Sequence, residues 1–287
     1  MQEIIHRFKV GDFECIALLD YHETYKATDN FITVPEDELR QRYEELGIDF
    51  EANPFCYNCL AVNNGEQWIL LDAGNGNLYP DRDCMLMKGL ESVGLKPDDF
   101  KTIILTHLNG DHYGWLTDED GNVTFPNAKV YIWEDEWRNW DSREETVAAI
   151  AARNNILVEE AQEYLQQNLW PIEPQLELIK QDGEILPGID VIHTPGHTVG
   201  HMVVTIESAG ERLMFIGDSF VVLPQITNPE WIPMWDQHDT ALAIETRKRL
   251  AKIAVDENYL VHGYHFPFPG LVRIHADGDG WRWENVK

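Results

Sequence analysis

Two histidines and an aspartate lie within six residues of one another, directly after an apolar segment. The segment is Ile103-Ile104-Leu105, and the run after it is Thr106-His107-Leu108-Asn109-Gly110-Asp111-His112. A short apolar run with β-branched residues is typical of a buried strand. Metal-competent side chains at this density are hard to explain as ordinary surface or core residues. The run therefore predicts a metal site at a strand end, and it constrains the fold more than any other feature.

Three further segments carry metal-competent side chains near predicted strand ends. They are His193-Thr194-Pro195-Gly196-His197, Gly217-Asp218-Ser219 and His262-Gly263-Tyr264-His265. A lone histidine is usually a surface or core residue, and a lone aspartate at a strand end is usually a turn residue. Four such segments in succession, each with a glycine beside the ligands, favour a shared site. Because loops at one edge of a sheet converge, we expect these side chains to meet.

Segments of strand length come in two groups, and helical segments follow each group. We predict strands at 13–19, 59–62, 68–71, 102–105, 128–133, 177–179, 189–192, 202–206, 212–216 and 259–261, and a final hairpin over 272–283. Helices are predicted at 83–93, 134–140, 143–168 and 239–253. A turn at Asp182-Gly183 would join the strands on either side of it. This order predicts an α/β fold in which two sheets lie between helices, as one domain over residues 1–287.

The charge of the chain excludes several classes of partner. Lysine and arginine total 22 against 50 aspartates and glutamates, a net charge of −28, which would repel a nucleic acid or an anionic membrane. No apolar run has the length of a membrane span, and the N-terminus has no basic region followed by an apolar stretch. We therefore expect a cytoplasmic protein with a small-molecule substrate and with no nucleic-acid or membrane partner. A homodimer is compatible with the sequence.

These motifs make the chain resemble the metallo-β-lactamase superfamily. The resemblance rests on Asp72-x-Gly74, the run over 106–112, His197, Asp218 and His265, and it extends over residues 13–283. It implies a four-layer αββα sandwich. The segments at 265–270 and 125–128 further resemble the branch that contains methyl parathion hydrolase.

The resemblance also implies a site for one or two divalent metal ions. The implied ligands are His107, residue 109 and His197 for one ion, Asp111, His112 and His265 for the other, and Asp218 as the bridge. Asp72 would lie behind the site and hydrogen-bond to its loops. Zinc is the expected ion, with manganese or iron as alternatives. A metal-bound hydroxide would attack the substrate, while Asp111 would orient it or pass a proton to the leaving group.

Members of the superfamily usually carry histidine at the position of Asn109. A neutral amide oxygen is a weaker zinc ligand than imidazole, so three interpretations remain open. In the first, Asn109 binds the first metal weakly or a water takes its place. In the second, only the metal at Asp111, His112 and His265 is kept, with Asp218. In the third, the site is degenerate and the protein does not catalyse. Every other expected ligand is present, which favours retained catalysis. We do not expect His193 or His201 to compensate.

The tryptophan content suggests an apolar pocket beside the metals. The chain has 10 tryptophans, and we predict that Trp115, Phe220 and Trp231 line a substrate pocket. The sequence thus predicts a metal-dependent hydrolase acting on an ester, a lactone or a phosphotriester-like substrate. The alternative is a metal-poor binding or regulatory protein on the same scaffold. Di-iron redox chemistry is disfavoured, because superfamily members that perform it carry glutamate at position 109 and an added flavin-binding domain.

Overall fold

The computed structural model describes residues 3–31, 33–78, 81–141, 147–148, 157–236 and 238–286. The strands are β1 (Ile5–Val10), β2 (Phe13–Tyr25), β3 (Asn53–Asn63), β4 (Trp68–Leu71), β5 (Phe100–Ile104), β6 (Lys129–Trp133), β7 (Leu176–Ile179), β8 (Gly183–Leu186), β9 (Ile189–His193), β10 (Met202–Ser208), β11 (Glu211–Phe215), β12 (Leu260–His262), β13 (Leu271–Asp277) and β14 (Gly280–Asn285). The α-helices are α1 (Ala27–Asn30), α2 (Glu36–Leu46), α3 (Leu86–Ser92), α4 (Gly110–Tyr113), α5 (Glu134–Asp141), α6 (Val158–Asn168), α7 (Pro224–Thr227) and α8 (Thr240–Asp256).

Two seven-stranded sheets form the centre of the fold, and each uses a continuous part of the chain. The first contains β1 to β7 in sequence order, and the second contains β8 to β14 in sequence order. Hairpins make the early pairs antiparallel, whereas β4 to β7 pair in parallel, as do β11 and β12. Parallel neighbours need a crossover, which α3 and α8 provide between their flanking strands. The predicted α/β sandwich of two sheets between helices is confirmed.

The second sheet separates two hydrophobic cores. Along β10, Val204 and Ile206 pack into the core between the two sheets, together with residues of the first sheet. Val203 points the other way and packs with Leu250 and Ala251 of α8. This alternation is expected for a strand that is covered on both faces. It fixes α8 against the sheet that carries Asp218.

The structure differs from the sequence prediction where the chain passes between the sheets. The turn at Asp182-Gly183 leads from β7, an edge strand of the first sheet, into β8, which pairs with β9 in the second. Strand β8 is absent from the prediction because it is an edge strand of only four residues, too short to show a clear apolar pattern. Of the helix predicted over 143–168, α6 forms the C-terminal part, while residues 143–146 and 149–156 lie outside the described residues.

The ligand-bearing segments follow β4, β5, β9, β11 and β12, and they meet at one edge of the two sheets. Across the parallel pair β11 and β12, Phe215 lies opposite His262, so both strands end at the same level. In the described residues, no helix combines the length and the apolar character that crossing a bilayer would require.

Candidate metal centre

Asp218 lies at the centre of the predicted ligands, and each of its carboxylate oxygens faces a different pair of histidines. Its Oδ1 atom is 3.3 Å from the Nε2 atoms of both His112 and His265. Its Oδ2 atom is 3.4 Å from Nε2 of His197 and 3.9 Å from Nε2 of His107. A carboxylate in this arrangement can bridge two ligand groups. The tertiary structure therefore brings together the four separate segments.

Asp111 completes one of the two groups. Its Oδ2 atom lies 3.5 Å from Nε2 of His265 and 3.6 Å from Nε2 of His112. The ligand atoms of these three residues lie within 4.8 Å of one another, as do those of His107, His112 and Asp218. Asp111 is also the most accessible member, since its side chain is 19% exposed, compared with 0–5% for the others.

The buried atoms at this centre fit a cation. Nε2 of His107, Nε2 of His112 and Oδ1 of Asp218 are buried, and none has a hydrogen-bond partner. Unpaired buried polar atoms are costly, so several of them aimed at one point indicate a missing partner. Imidazole nitrogens together with carboxylate oxygens suit zinc, manganese or iron. The residues present therefore fit a divalent metal ion.

Charge is concentrated at this centre, and it shifts the ionisation of its members. Burial by itself would lower the pKa of His112, but the carboxylates of Asp218, Asp111 and Asp72 raise it well above its usual value. Burial would raise the pKa of Asp218, but His265 and His112 hold it well below its usual value. The surroundings of Asp218 therefore stabilise its negative charge, which a metal ion would also balance.

Asp72 lies behind His112 and hydrogen-bonds to the start of the loop that carries it. Its Oδ2 atom accepts a hydrogen bond from Nδ1 of His112 at 2.7 Å and one from the Thr106 hydroxyl at 2.9 Å. Its Oδ1 atom accepts from the Thr106 backbone N–H at 2.7 Å. This contact holds the ring through Nδ1 and leaves Nε2 of His112 facing Asp218, where it could bind a metal in place of a proton. Burial raises the pKa of Asp72, although His112 and Thr106 oppose that effect.

His201 supports Asp218 rather than acting as a ligand. Its Nε2 atom accepts a hydrogen bond from the Asp218 backbone N–H at 3.0 Å, and its Nδ1 atom donates to the Thr194 hydroxyl at 2.8 Å. Burial, together with the nearby His197, lowers the pKa of His201 to about 3, so the ring stays neutral and keeps this pattern. His193 stacks on Trp133 with ring centroids 4.2 Å apart.

His265 is held by the first sheet, although it follows a strand of the second. Its Nδ1 atom donates to the backbone carbonyl of Cys56 at 2.9 Å, and the Phe55 ring stacks on it at 4.2 Å. The side-chain amide of Asn58 donates to the carbonyls of Gly263 and Phe266, on either side of the ligand. Strand β3 thus orients His265 so that its Nε2 atom faces Asp218.

Asn109 occupies the N-cap of α4, but its side chain does not cap that helix. Instead its Nδ2 atom lies 3.0 Å from Nε2 of His197. An amide nitrogen can only donate, so Nε2 of His197 is the acceptor of this hydrogen bond. In this structure the amide therefore uses the lone pair that His197 would offer to a metal.

Two buried acidic residues that the sequence analysis missed hold the ligand loops. The Glu136 carboxylate accepts from the backbone N–H of Leu108 at 3.0 Å and from that of Gly200 at 2.9 Å. Asp236 accepts from Nδ1 of His197 at 2.8 Å. These partners lie 28, 64 and 39 residues apart in sequence, so no local motif signals them.

The three predicted pocket residues have other contacts. Trp115 donates from its ring nitrogen to the buried carboxylate of Asp20 at 2.8 Å. Phe220 is 1% exposed in the core beneath α8, and Trp231 is 4% exposed against Phe31. Because the hydrophobic cores enclose Phe220 and Trp231, this packing gives no support to a pocket role for them.

A different set of rings borders the metal ligands, and we name it the aromatic wall: Tyr25, Phe55, Tyr57 and Trp235. Phe55 and Tyr57 contact His265 at centroid distances of 4.2 and 4.9 Å. Trp235 packs on Phe55 at 5.3 Å and on Tyr25 at 5.8 Å. A cavity of about 310 Å³ also includes His265 in its lining. Phe55 and Tyr57 are each 3% exposed, so the accessible apolar surface of the wall belongs to the partly buried Tyr25 and Trp235.

Comparison with known proteins identifies relatives of this chain. The metallo-β-lactamase superfamily model matches residues 53–265. The chain is 30% identical to an N-acyl homoserine lactonase of Bacillus sp over 178 residues, which are 61% of this chain and 60% of that protein. It is 26% identical to a probable metallo-hydrolase of Mycobacterium tuberculosis over 144 residues, which are 46% of this chain and 40% of that one. The sequence match thus spans less than two thirds of these relatives.

Solved structures match over nearly the full chain. AidC, a dizinc quorum-quenching lactonase in complex with the product N-hexanoyl-L-homoserine, is 25% identical, with a TM-score of 0.86 over 99% of this chain and 97% of AidC. The hydrolase AbOPH, described as a member of the beta lactamase superfamily, is 28% identical, with a TM-score of 0.87 over 100% of this chain and 99% of AbOPH. The family model covers most of the chain, and the ligand loops lie within it. The chain therefore belongs to the metallo-β-lactamase superfamily.

Proposed function

We propose that this protein is a metal-dependent hydrolase that opens lactones, and that N-acyl homoserine lactones are the first substrates to test. One observation carries the proposal: Asp218 presents its two oxygens to two pairs of buried histidines, with the more accessible Asp111 beside them. The lactonase relatives support the choice of substrate class. The retention of every ligand except the one at position 109 argues against a degenerate scaffold.

The donor set favours zinc, with manganese or iron as alternatives. When bound, a divalent ion activates water at neutral pH and polarises the scissile carbonyl. Asp111 is the residue that can accept the proton of the activated water, because its carboxylate is the most accessible of the ligand set. It passes the proton to the alkoxide that leaves when the lactone ring opens. The Tyr264 hydroxyl donates to the backbone carbonyl of Asp111 and so holds this residue in place.

We infer that the two metal positions differ in strength. The stronger position has Asp111, His112, His265 and Oδ1 of Asp218, all with ligand atoms facing one another. The weaker position has His107, His197 and Oδ2 of Asp218. A metal there must displace the hydrogen bond from Asn109 to Nε2 of His197, and it gains only an amide oxygen in return. The protein should therefore keep one metal tightly and a second one loosely.

The surroundings of the site favour a neutral substrate with an apolar part. In the aromatic wall, the partly buried Trp235 and Tyr25 offer apolar surface, and Trp235 packs on the Phe55 ring that stacks on His265. The net charge of −28 disfavours anionic substrates, whereas a lactone or a phosphotriester carries no charge. The resemblance of segments 265–270 and 125–128 to the methyl parathion hydrolase branch remains a prediction. A neutral phosphotriester therefore belongs in the substrate panel beside lactones and aryl esters.

The experiment compares metal content and hydrolysis in the wild type, Asp111→Asn and His112→Ala. We expect Asp111→Asn to lower kcat on an N-acyl homoserine lactone by about 100-fold or more, the range for a lost acid–base group. His112→Ala should lose the tight metal and the activity together. His275→Ala is the matched control, because His275 is a partly exposed histidine on β13 that pairs with Glu284, outside the ligand cluster. Hydrolysis by His112→Ala at the wild-type rate would refute the proposal.

A further inference from the structure

We propose that Asp236 and Arg247 set the protonation of His197, so that its Nε2 atom rather than its Nδ1 atom is available to a metal. Both are positioning residues, because they act through His197 and lie behind it as seen from Asp218. The inference rests on the proposed metal site. Asp236 would support His197 at the weaker metal position, as Asp72 supports His112 at the stronger one.

The three side chains form a buried row. Nδ1 of His197 donates to Oδ1 of Asp236 at 2.8 Å, and the Arg247 guanidinium donates to Oδ2 of the same carboxylate at 2.5 Å. The side chains of Asp236 and Arg247 are 0% and 1% exposed. Two opposite charges buried at this depth carry a large desolvation cost, which their mutual attraction and their hydrogen bonds to His197 and Pro229 offset.

Arg247 determines which atoms Asp236 presents to His197. A guanidinium only donates hydrogen bonds, so the atom facing it must be an acceptor. Its Nε atom also donates to the backbone carbonyl of Pro229 at 2.8 Å, which fixes the plane of the group. The other carboxylate oxygen is then an acceptor aimed at His197, and Nδ1 of His197 must carry the proton.

Contacts on the opposite side of the ring agree with this assignment. Nε2 of His197 accepts the hydrogen bond from Nδ2 of Asn109 at 3.0 Å, which is possible only if that nitrogen carries no proton. It also faces Oδ2 of Asp218 at 3.4 Å. The contacts of both ring nitrogens therefore specify the same tautomer, in which the lone pair of Nε2 is directed at the ligand cluster.

Helix α8 fastens the loop that carries His197. The Thr246 hydroxyl donates to the carbonyl of Pro195 at 2.8 Å, next to Arg247 on the helix. Gly196 has φ +138°, and a Cβ there would lie 2.5 Å from the backbone of Ala243, so only glycine allows this approach. The helix therefore contacts the loop of His197 and also carries Arg247.

The first test uses the metal-free wild type, so it does not depend on substrate or activity. Long-range ¹H–¹⁵N correlation NMR at alkaline pH, where the ring is neutral, reports which ring nitrogen carries the proton. We expect the Nδ1–H tautomer for His197. An Nε2–H tautomer would overturn the proposal even if lactone hydrolysis were confirmed.

The second test is Asp236→Asn, which keeps the shape but changes the pattern of donors and acceptors. The amide oxygen must face Arg247, so the amide N–H₂ faces Nδ1 of His197 and makes it an acceptor. The proton then moves to Nε2, which must lose it before a metal can bind there. We expect the Nε2–H tautomer by NMR and a second zinc binding constant that is about 10–100-fold weaker by calorimetry, with the first unchanged.

Asp239→Asn is the matched control, because it makes the same chemical change three residues away. Asp239 caps α8 through a hydrogen bond from the Leu242 N–H, and asparagine caps equally well. This variant should keep the wild-type tautomer and both binding constants. Wild-type behaviour in Asp236→Asn would overturn the proposal, and if that variant does not fold, the wild-type tautomer alone decides.

Discussion

Glu136 offers a sharp test of how the two ligand loops are held. Its carboxylate is 1% exposed, and each oxygen accepts one backbone hydrogen bond, from Leu108 at 3.0 Å and from Gly200 at 2.9 Å. A Cβ on Gly200 would lie 2.4 Å from the Glu136 backbone, so the two segments approach closely. The loop of the first sheet is thereby joined to the loop of the second through one side chain.

The perturbation is Glu136→Gln, which preserves size and replaces one acceptor oxygen with a donor group. One of the two backbone N–H groups then faces an amide N–H₂, and a buried donor without a partner costs about 1–3 kcal/mol. The remaining hydrogen bond loses its charge assistance, about 1 kcal/mol. A neutral amide is cheaper to bury than a carboxylate, which offsets part of the loss. We expect a net destabilisation of about 2 kcal/mol.

The assay is urea unfolding of the metal-free protein at neutral pH, followed by zinc titration of the folded variant. Glu134→Gln is the control, since Glu134 lies in the same first turn of α5 and pairs with the exposed Arg138 and Lys180. Such pairs contribute at most about 1 kcal/mol. If Glu136→Gln is no more destabilising than Glu134→Gln, the Glu136 carboxylate does not hold the two loops as described.

Two further predictions concern Asn109 and His262. Asn109→His should raise zinc content from about one toward two ions per chain in elemental analysis, because it replaces the amide with an imidazole; unchanged content would contradict the weak position. Neither ring nitrogen of His262 has a hydrogen-bond partner, and burial, together with His6, lowers its pKa to about 3. Because this pKa lies below the unfolded value of about 6.5, protonation favours unfolding, and stability is lost as pH falls from about 6.5 toward 3. Between pH 7 and 5 the loss amounts to about 2 kcal/mol. In urea unfolding, His262→Leu should therefore lose less stability than the wild type over that interval. An equal loss in both proteins would refute the assignment.

Local sequence determined the order of the strands and the loops that carry the ligands. The hairpin of β3 and β4 and the pair of β10 and β11 form where apolar runs of strand length flank short polar turns. His107 and Asp218 follow apolar strands directly, so the end of a strand places each of them without help from distant residues. Periodicity and strand-end position are local properties, and they were sufficient for these elements.

The tertiary structure alone decided which atoms of the ligands face the centre. Asp236 lies 39 residues from its partner His197, and His201 lies 17 residues from Asp218. Glu136 lies 28 residues from Leu108 and 64 residues from Gly200. Nothing in the local sequence of these three residues marks them. The assignment of β8 to the second sheet and the burial of Phe220 depend equally on the packing of two sheets and a helix. A hydrogen bond orients an imidazole only when the fold brings donor and acceptor together. The ligand types could therefore be read from the sequence, whereas the tautomers and the Asn109–His197 contact required the structure.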